Sequence, residues 1–346
     1  MHPYDSGGPA SRRRKSAPVE IDHPAVGAAH IFIPGGADSL VAAALLVRRM
    51  PWPTWVMLAR EHRLPIVLER PLVEAAKEIW CLGYAGTGNP LLPAAIESHT
   101  TRRPFHWLYT TTGRLVVAAG SIPGVRFEGM PGGSLVPLAL RVLSESREAG
   151  DSDFERMGLL LGRFSGAPPT PRELQLINLL HAASVKVRDQ ERRGPALVRE
   201  LANEDPTAWS RLPVLRDLAR EGEWLIRRSR QVLSQQPPKL GSRRGPAVWV
   251  VPRGEISRGA HGKAVAARVH EQGAPVGLVE RTPSGFTKAW VVLPRGDEDR
   301  WDHVAHAFAG FSGDFSYTGL RGAGAIAGDD VDRFAGALYA VLRAGR

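Results

Sequence analysis

The chain has 346 residues, 43% of them hydrophobic, enough for one large core or two ordinary ones, and two domains is the expectation. A single cysteine, Cys81, excludes an internal disulfide framework and a cysteine-only metal cage, and no apolar run reaches the length of a membrane span. The 45 basic and 35 acidic residues give a formal charge of +10, which admits a polyanionic partner such as nucleic acid and equally fits an arginine-rich composition with no such partner.

Residues 1–27 are polar and basic, carry the run "SRRRK", and lack the apolar segment of a secretory signal; a disordered tail on a cytoplasmic protein is expected. From 28 to 150 short apolar runs alternate with helical patterns. "HIFI" (30–33) reads as a strand, 39–49 as a helix, and "TWVMLA" (54–59) and "PIVLE" (65–69) as strands. "PLVEAAKE" (71–78) reads as a short helix, "IWCLGYAG" (79–86) as a strand entering a glycine turn, and "PLLPAAIESH" (90–99) as a helix. "FHWLYTT" (105–111) is a strand and 133–147 a helix. This alternation implies α/β architecture, a parallel sheet with helices on both faces, whose sites lie at the carboxyl ends of strands.

Residues 151–236 are helical patterns broken by prolines, and the last of them is amphipathic with a basic face. "QQPPKLGSRRGP" carries paired prolines and like charges, and 237–246 is expected to be a linker. Beyond it, 247–346 reads as a smaller α/β lobe, so that a helical connector joins two lobes with a cleft between them.

The strand–turn–helix at "IFIPGGADSLVAAALL" is the most informative stretch. Gly35 and Gly36 supply the turn, Asp38 or Ser39 the expected helix cap, and the backbone N–H groups at the helix start a cradle for an anion. Asp38 has two readings, lone metal ligand or cap, and a lone carboxylate is a poor metal site. His99 and His106 fall near the expected cleft, where a packed side chain is the commoner role. His261 and Lys263 fall at a helix start that welcomes an anion. Arg258 and Arg295 end elements of the small lobe and are candidates for bidentate phosphate contacts.

The order of these stretches resembles the DHH phosphoesterase superfamily of single-strand exonucleases, oligoribonucleases and cyclic-dinucleotide hydrolases, over roughly 28–342. "FIPGGADSLVAAALL" stands where that family has H-x-D-x-D-G before an alanine-rich helix, "IWCLGYAGTGNP" where a strand ends in aspartate, "FHWLYTTTG" where a strand ends in D-H-H, and "MGLLLGRFSG" where a further aspartate is expected. "ISRGAHGKAVAARVHEQGAPVGLVE", "WVVLPRG" and "FSGDFSYTGLRGAGAI" follow the DHH-associated C-terminal domain, and the resemblance makes 311–325 its glycine-rich loop, here without the family's histidine.

The resemblance implies two-metal phosphoester hydrolysis with manganese or magnesium, which needs many oxygen and nitrogen ligands. Position by position they are replaced. Pro34 and Gly36 stand for the first histidine and aspartate, Cys81 for the second motif's aspartate, Tyr109, Thr110 and Thr111 for D-H-H, and a residue near Gly162 for the later aspartate; Asp38 alone survives. A shifted register with "ESH" (97–99) as a diverged D-H-H would make the metal ligands Asp38, Glu97 and His99, too few for two ions. The leading expectation is a degenerate member that binds a nucleotide, a cyclic dinucleotide or single-stranded nucleic acid through Gly35, Gly36, Ser39, Arg258 and Arg295, without a membrane and with a homodimer left open. The alternatives are an active phosphodiesterase with an unusual site, and a PP-loop-like ATP enzyme. For the latter, Gly35, Gly36, Asp38 and Ser39 resemble S-G-G-x-D-S, with Pro34 in place of the first serine.

Overall fold

The computed structural model describes residues 27–84, 91–110, 112–113, 122–131, 133–144, 152–162, 168–257, 259–281, 286–328 and 330–344. The "SRRRK" run, Thr111 and Arg258 lie outside them. Five parallel strands form the N-terminal sheet in the order β2-β1-β3-β4-β6: β1 Ala29–Ile33, β2 Thr54–Leu58, β3 Glu78–Leu82, β4 Phe105–Tyr109 and β6 Val125–Gly129. Strands β1 and β3 are buried on both faces, which is why they read as continuous apolar runs. Alternation sends Ile31, Ile33, Trp80 and Leu82 to one face and Phe32, Ile79 and Cys81 to the other. Helices α1 (Ala37–Arg49) and α5 (Leu135–Ser144) cover the first face; α2 (Leu64–Leu68), α3 (Pro71–Glu74) and α4 (Leu92–Thr100) cover the second.

Two expectations in this lobe are corrected. Residues 65–69 fall largely in helix α2, not a strand; Pro65 sits in its first turn, where a missing N–H costs nothing, and a five-residue apolar run has no period that separates helix from strand. The edge strand β6 lies outside the elements expected from sequence, because its half-buried "VRFEG" has neither an apolar run nor a clean alternation.

The connector consists of α6 (Ser152–Leu161), α7 (Pro171–Asp189), α8 (Gly194–Asn203) and α9 (Pro213–Gln235). Helix α7 starts on a capping box: the Thr170 hydroxyl accepts from the Glu173 N–H and the Glu173 carboxylate accepts from the Thr170 N–H. Helices α7 and α9 touch backbone to backbone at Gly222, where an added Cβ would fall 1.9 Å from the Ala182 carbonyl oxygen.

The C-terminal sheet has seven strands in the order β5-β11-β12-β10-β9-β8-β7, with α10 (His261–Gln272), α11 (Trp301–Ala309) and α12 (Val331–Arg343) packed on it. Its strands are β7 Leu240–Gly241, β8 Ala247–Pro252, β9 Val276–Arg281, β10 Phe286–Val292, β11 Asp314–Thr318 and β12 Arg321–Ala327, with β5 being Thr112–Gly113. Within 237–246, Leu240 and Gly241 pair antiparallel with β8. The glycine-rich loop expected at 311–325 is instead largely the β11–β12 hairpin. Its glycines serve packing: a Cβ on Gly324 would fall 2.5 Å from the Phe308 ring, and one on Gly322 2.2 Å from Phe315. Strand β5, which follows the large lobe's β4, pairs with β11 through Ser316 and Tyr317, so the two lobes share a hydrogen-bonded ladder.

Candidate anion-binding cleft

Strand β1 delivers the chain to Pro34, and Gly35 turns it at φ +85°, a left-handed conformation that glycine adopts without strain. Gly36 then caps α1, with no side chain accepting from the helix's first N–H groups. Neither expected cap performs that role. Ser39 donates its hydroxyl to the Gly36 carbonyl at 2.9 Å. Asp38 reaches across to α5, where its Oδ1 accepts from the Ser134 hydroxyl at 2.5 Å and its Oδ2 from the Leu135 N–H at 2.8 Å. It therefore ties the starts of two helices together. Burial raises its pKa to about 6, against the opposing pull of those two hydrogen bonds.

The carboxyl ends of the strands, at Pro34, Gly83 and Thr110, line one wall of a cavity of about 410 Å³, together with Gly36, Asp38 and Ser39. The facing wall carries His181 and Arg188 from α7, Lys263 from α10 and Arg321 from β12. The Arg188 guanidinium lies against the start of α1: a Cβ on Gly36 would come within 2.9 Å of its Nη2, so glycine at 36 is what lets the cation approach. Arg188 keeps contact with the water in the cleft, while the protein packed around it lowers its pKa by desolvation. Lys263 is more enclosed, and burial, then Arg321, Arg188 and Arg230, hold its pKa down to about 8. Burial, then Lys263, Arg321 and Arg188, lower His181 to about 3, so its imidazole stays neutral at physiological pH. Among the described residues neither Arg188 nor Lys263 has a carboxylate within ion-pair distance. Arg188 and Lys263, without carboxylate partners among the described residues, stand with Arg321 in a partly dry cleft around the positive end of a helix dipole, an arrangement that attracts an anion.

A second cavity, of about 540 Å³, opens on the other side of Arg188 and Trp290. It is mixed in sign, with Arg60, Arg63, Arg253 and Lys288 set among Glu61, Glu191 and Glu280, and Arg60 bonds Glu191 at 2.5 Å. The buried His261 ring stacks flat on Trp290, 3.8 Å between centroids, which makes it packing for the wall between the cavities.

The sequence candidates separate on this geometry. Gly36, Ser39 and Asp38 line the cleft, and Gly35 sits beneath it against Leu58 and Arg188. Arg295 is exposed in the turn after β10, away from the lining of either cavity. His99 is buried beneath the sheet's opposite face, donating Nε2–H to the Leu68 carbonyl at 2.9 Å, so it does not meet Asp38. His106 stacks on Trp80 at 4.0 Å, its Nε2 lying 3.6 Å from Glu78. Cys81 lies within β3 and faces away from the cleft. Thr110 lines the cleft while Tyr109 stacks on Phe127, and Gly162 packs on Gly133 and Ser134.

Among the described residues no three histidine, cysteine, aspartate or glutamate side chains converge as metal ligands do. With both Asp38 oxygens already engaged, these residues do not fit a two-metal centre. Sequence reasoning missed Arg188, Arg321 and His181. One signal was available for part of the set: His181, Ser184 and Arg188 stand at i, i+3 and i+7 of one helix, a polar stripe on a face that otherwise buries Ala183 and Val187 beside it.

The fold has solved relatives. RecJ from Thermus thermophilus in complex with Mn2+ superposes with TM-score 0.59 at 14% identity, covering 93% of this chain and 53% of that one. An exonuclease RecJ bound to manganese gives TM-score 0.53 at 16% identity, covering 92% and 91%. The chain has the two-lobed RecJ fold. It spans about half the length of the Thermus RecJ. The pGpG-specific phosphodiesterase PggH from Vibrio cholerae aligns over 93% of this chain and all of its own length, at 13% identity and TM-score 0.47. The two-lobed α/β layout expected from sequence is present as a fold, with the cleft between its lobes. No family model matches the sequence, and no curated protein matches it. Among the described residues no helix is long and apolar enough to cross a membrane.

Proposed function

We propose that the chain is a DHH-phosphoesterase-like binding protein, holding a nucleotide, cyclic dinucleotide or single-stranded nucleic acid by its phosphate in the inter-lobe cleft, without two-metal hydrolysis. The observation that carries this reading is the convergence of Arg188, Lys263 and Arg321, from connector and small lobe, on the uncapped start of α1. The RecJ fold supports the substrate class, since RecJ is an exonuclease. The degeneracy is supported by Asp38, the surviving residue of the first motif, which is committed to Ser134 and Leu135.

In this reading a phosphate replaces water at the α1 N–H groups while Arg188 and Arg321 donate charge-assisted hydrogen bonds and Lys263 adds a point charge. His181, neutral, contributes a hydrogen bond but no charge. The test is titration with a cyclic dinucleotide and a short single-stranded oligonucleotide, with and without manganese, followed by product analysis. Metal-independent binding with intact ligand is expected. Turnover in manganese would instead establish the active phosphodiesterase.

A further inference from the structure

Helix α9 carries a second feature that the cleft does not use. Its exposed arc presents Arg216, Arg220, Trp224, Arg227 and Arg228, spaced three and four residues apart so that they form one stripe. Trp224 is 52% exposed, one of few large apolar side chains left in solvent among the described residues. The Arg228 guanidinium stands 5.5 Å from its ring centroid, holding the indole in a cation–π pair. Arg220 pairs with Asp217 at 3.4 Å, whereas Arg216, Arg227 and Arg228 have no carboxylate within ion-pair distance among the described residues.

We propose that this stripe is a binding track for single-stranded nucleic acid, with a base stacked on Trp224 and the flanking phosphates on Arg216, Arg227 and Arg228. An exposed indole among arginines is the combination that single-strand binders use: the aromatic face takes a base of any sequence and the cations follow the backbone. A duplex keeps its bases stacked and offers the indole no face. An anionic membrane is disfavoured because Trp224 is the stripe's one apolar side chain. From Arg216 to Arg230 the helix rises about 21 Å. The C-terminal half of α9 packs Leu225 and Leu233 into one cluster with Ala264 and Val265 of α10, the helix that brings Lys263 to the cleft, so the track runs toward the cleft.

The inference deepens the reading of the cleft: a strand held there by a phosphate continues along α9. The test is fluorescence anisotropy with labelled oligothymidylates of about 20 and about 4 nucleotides, bracketing common single-strand site sizes. The longer strand should bind more tightly than the shorter. Trp224→Ala should weaken the longer about tenfold and leave the shorter unchanged, with Trp224→Phe restoring part of the loss. Arg227→Ala and Arg228→Ala should each reduce the salt slope of the longer strand by about 0.7. Lys263→Ala should weaken both strands. If the longer strand binds no more tightly than the shorter, or is indifferent to Trp224, the track is overturned and the cleft stands. Trp224-dependent binding that ignores Lys263→Ala would overturn the cleft and leave the track. Equal, Trp224-dependent binding of polyglutamate or of phosphatidylserine vesicles would overturn the choice of nucleic acid, and a wild type that binds neither strand overturns the track and narrows the cleft to a nucleotide or cyclic dinucleotide.

Discussion

At Asp38 a half-buried carboxylate accepts from Ser134 and Leu135 and so splices the start of α1 to that of α5. Asp38→Ala leaves the Leu135 N–H without its acceptor and should cost about 1–3 kcal/mol in denaturant unfolding. Asp38→Asn keeps an acceptor for Leu135, and the Ser134 hydroxyl can rotate to accept from the new amide, so little stability should be lost near neutral pH. The pH dependence distinguishes the two states of this group. Its folded pKa, raised to about 6 from 3.8, means the native state takes up the proton first, so this group adds stability as pH falls from 6 toward 3.8; Asn should remove that gain. His30 acts with the opposite sign. It is fully buried against Trp55, both ring nitrogens lack a partner, and its pKa is lowered to about 4 from 6.5, first by burial and then by Arg103 and His99. The unfolded chain therefore takes up the proton first, and stability is lost as pH falls from 6.5 toward 4. His30→Phe should be less acid-sensitive than wild type, measured as the difference in Tm between neutral and mildly acidic buffer.

Among the elements, α7 and α9 approach backbone to backbone at Gly222. Gly222→Ala should force these helices apart and cost about 1–3 kcal/mol, read as a lower denaturation midpoint, despite alanine's better helix propensity. How far such elements are legible in sequence depends on how much of their environment is local. Strands β1 and β3 and helices α1, α7 and α9 declare themselves through continuous apolar runs or a sustained helical period. Helix α2 and strand β6 do not, since one is five apolar residues beside a proline and the other a half-buried edge. The β11–β12 hairpin reads as a loop because its glycines signal flexibility in isolation, while in the fold they make room for Phe308 and Phe315. The site divides the same way. Gly36, Asp38 and Ser39 are found from one strand–turn–helix, whereas Arg188 shows in sequence only as the end of a short polar stripe and Arg321 as an ordinary surface arginine, and both acquire meaning when two lobes face each other.

Across the whole molecule, the lobes share the β5–β11 ladder and enclose cations that repel one another. That arrangement should be costly without a ligand. Lys263, with its pKa lowered to about 8 from 10.5, lowers stability at neutral pH, and this penalty is relieved as pH rises from 8 toward 10.5. Lys263→Met should therefore raise Tm at pH 7 while weakening the ligand, a trade expected of a binding site held under charge strain. Bound phosphate should reverse the sign by raising the pKa of Lys263, so wild-type affinity should fall as pH rises through about 8.

The most direct measurement is calorimetric titration of a cyclic dinucleotide, and of a short single-stranded oligonucleotide, into wild type, Arg188→Ala, Lys263→Ala and Asp38→Asn, each in EDTA and in manganese. The account predicts that at least one of these ligands binds equally well in both buffers, that each cation variant weakens it by about 1–3 kcal/mol, and that Asp38→Asn leaves it unchanged or tighter. Binding that requires manganese, is abolished by Asp38→Asn and ignores Arg188 and Lys263 would contradict it.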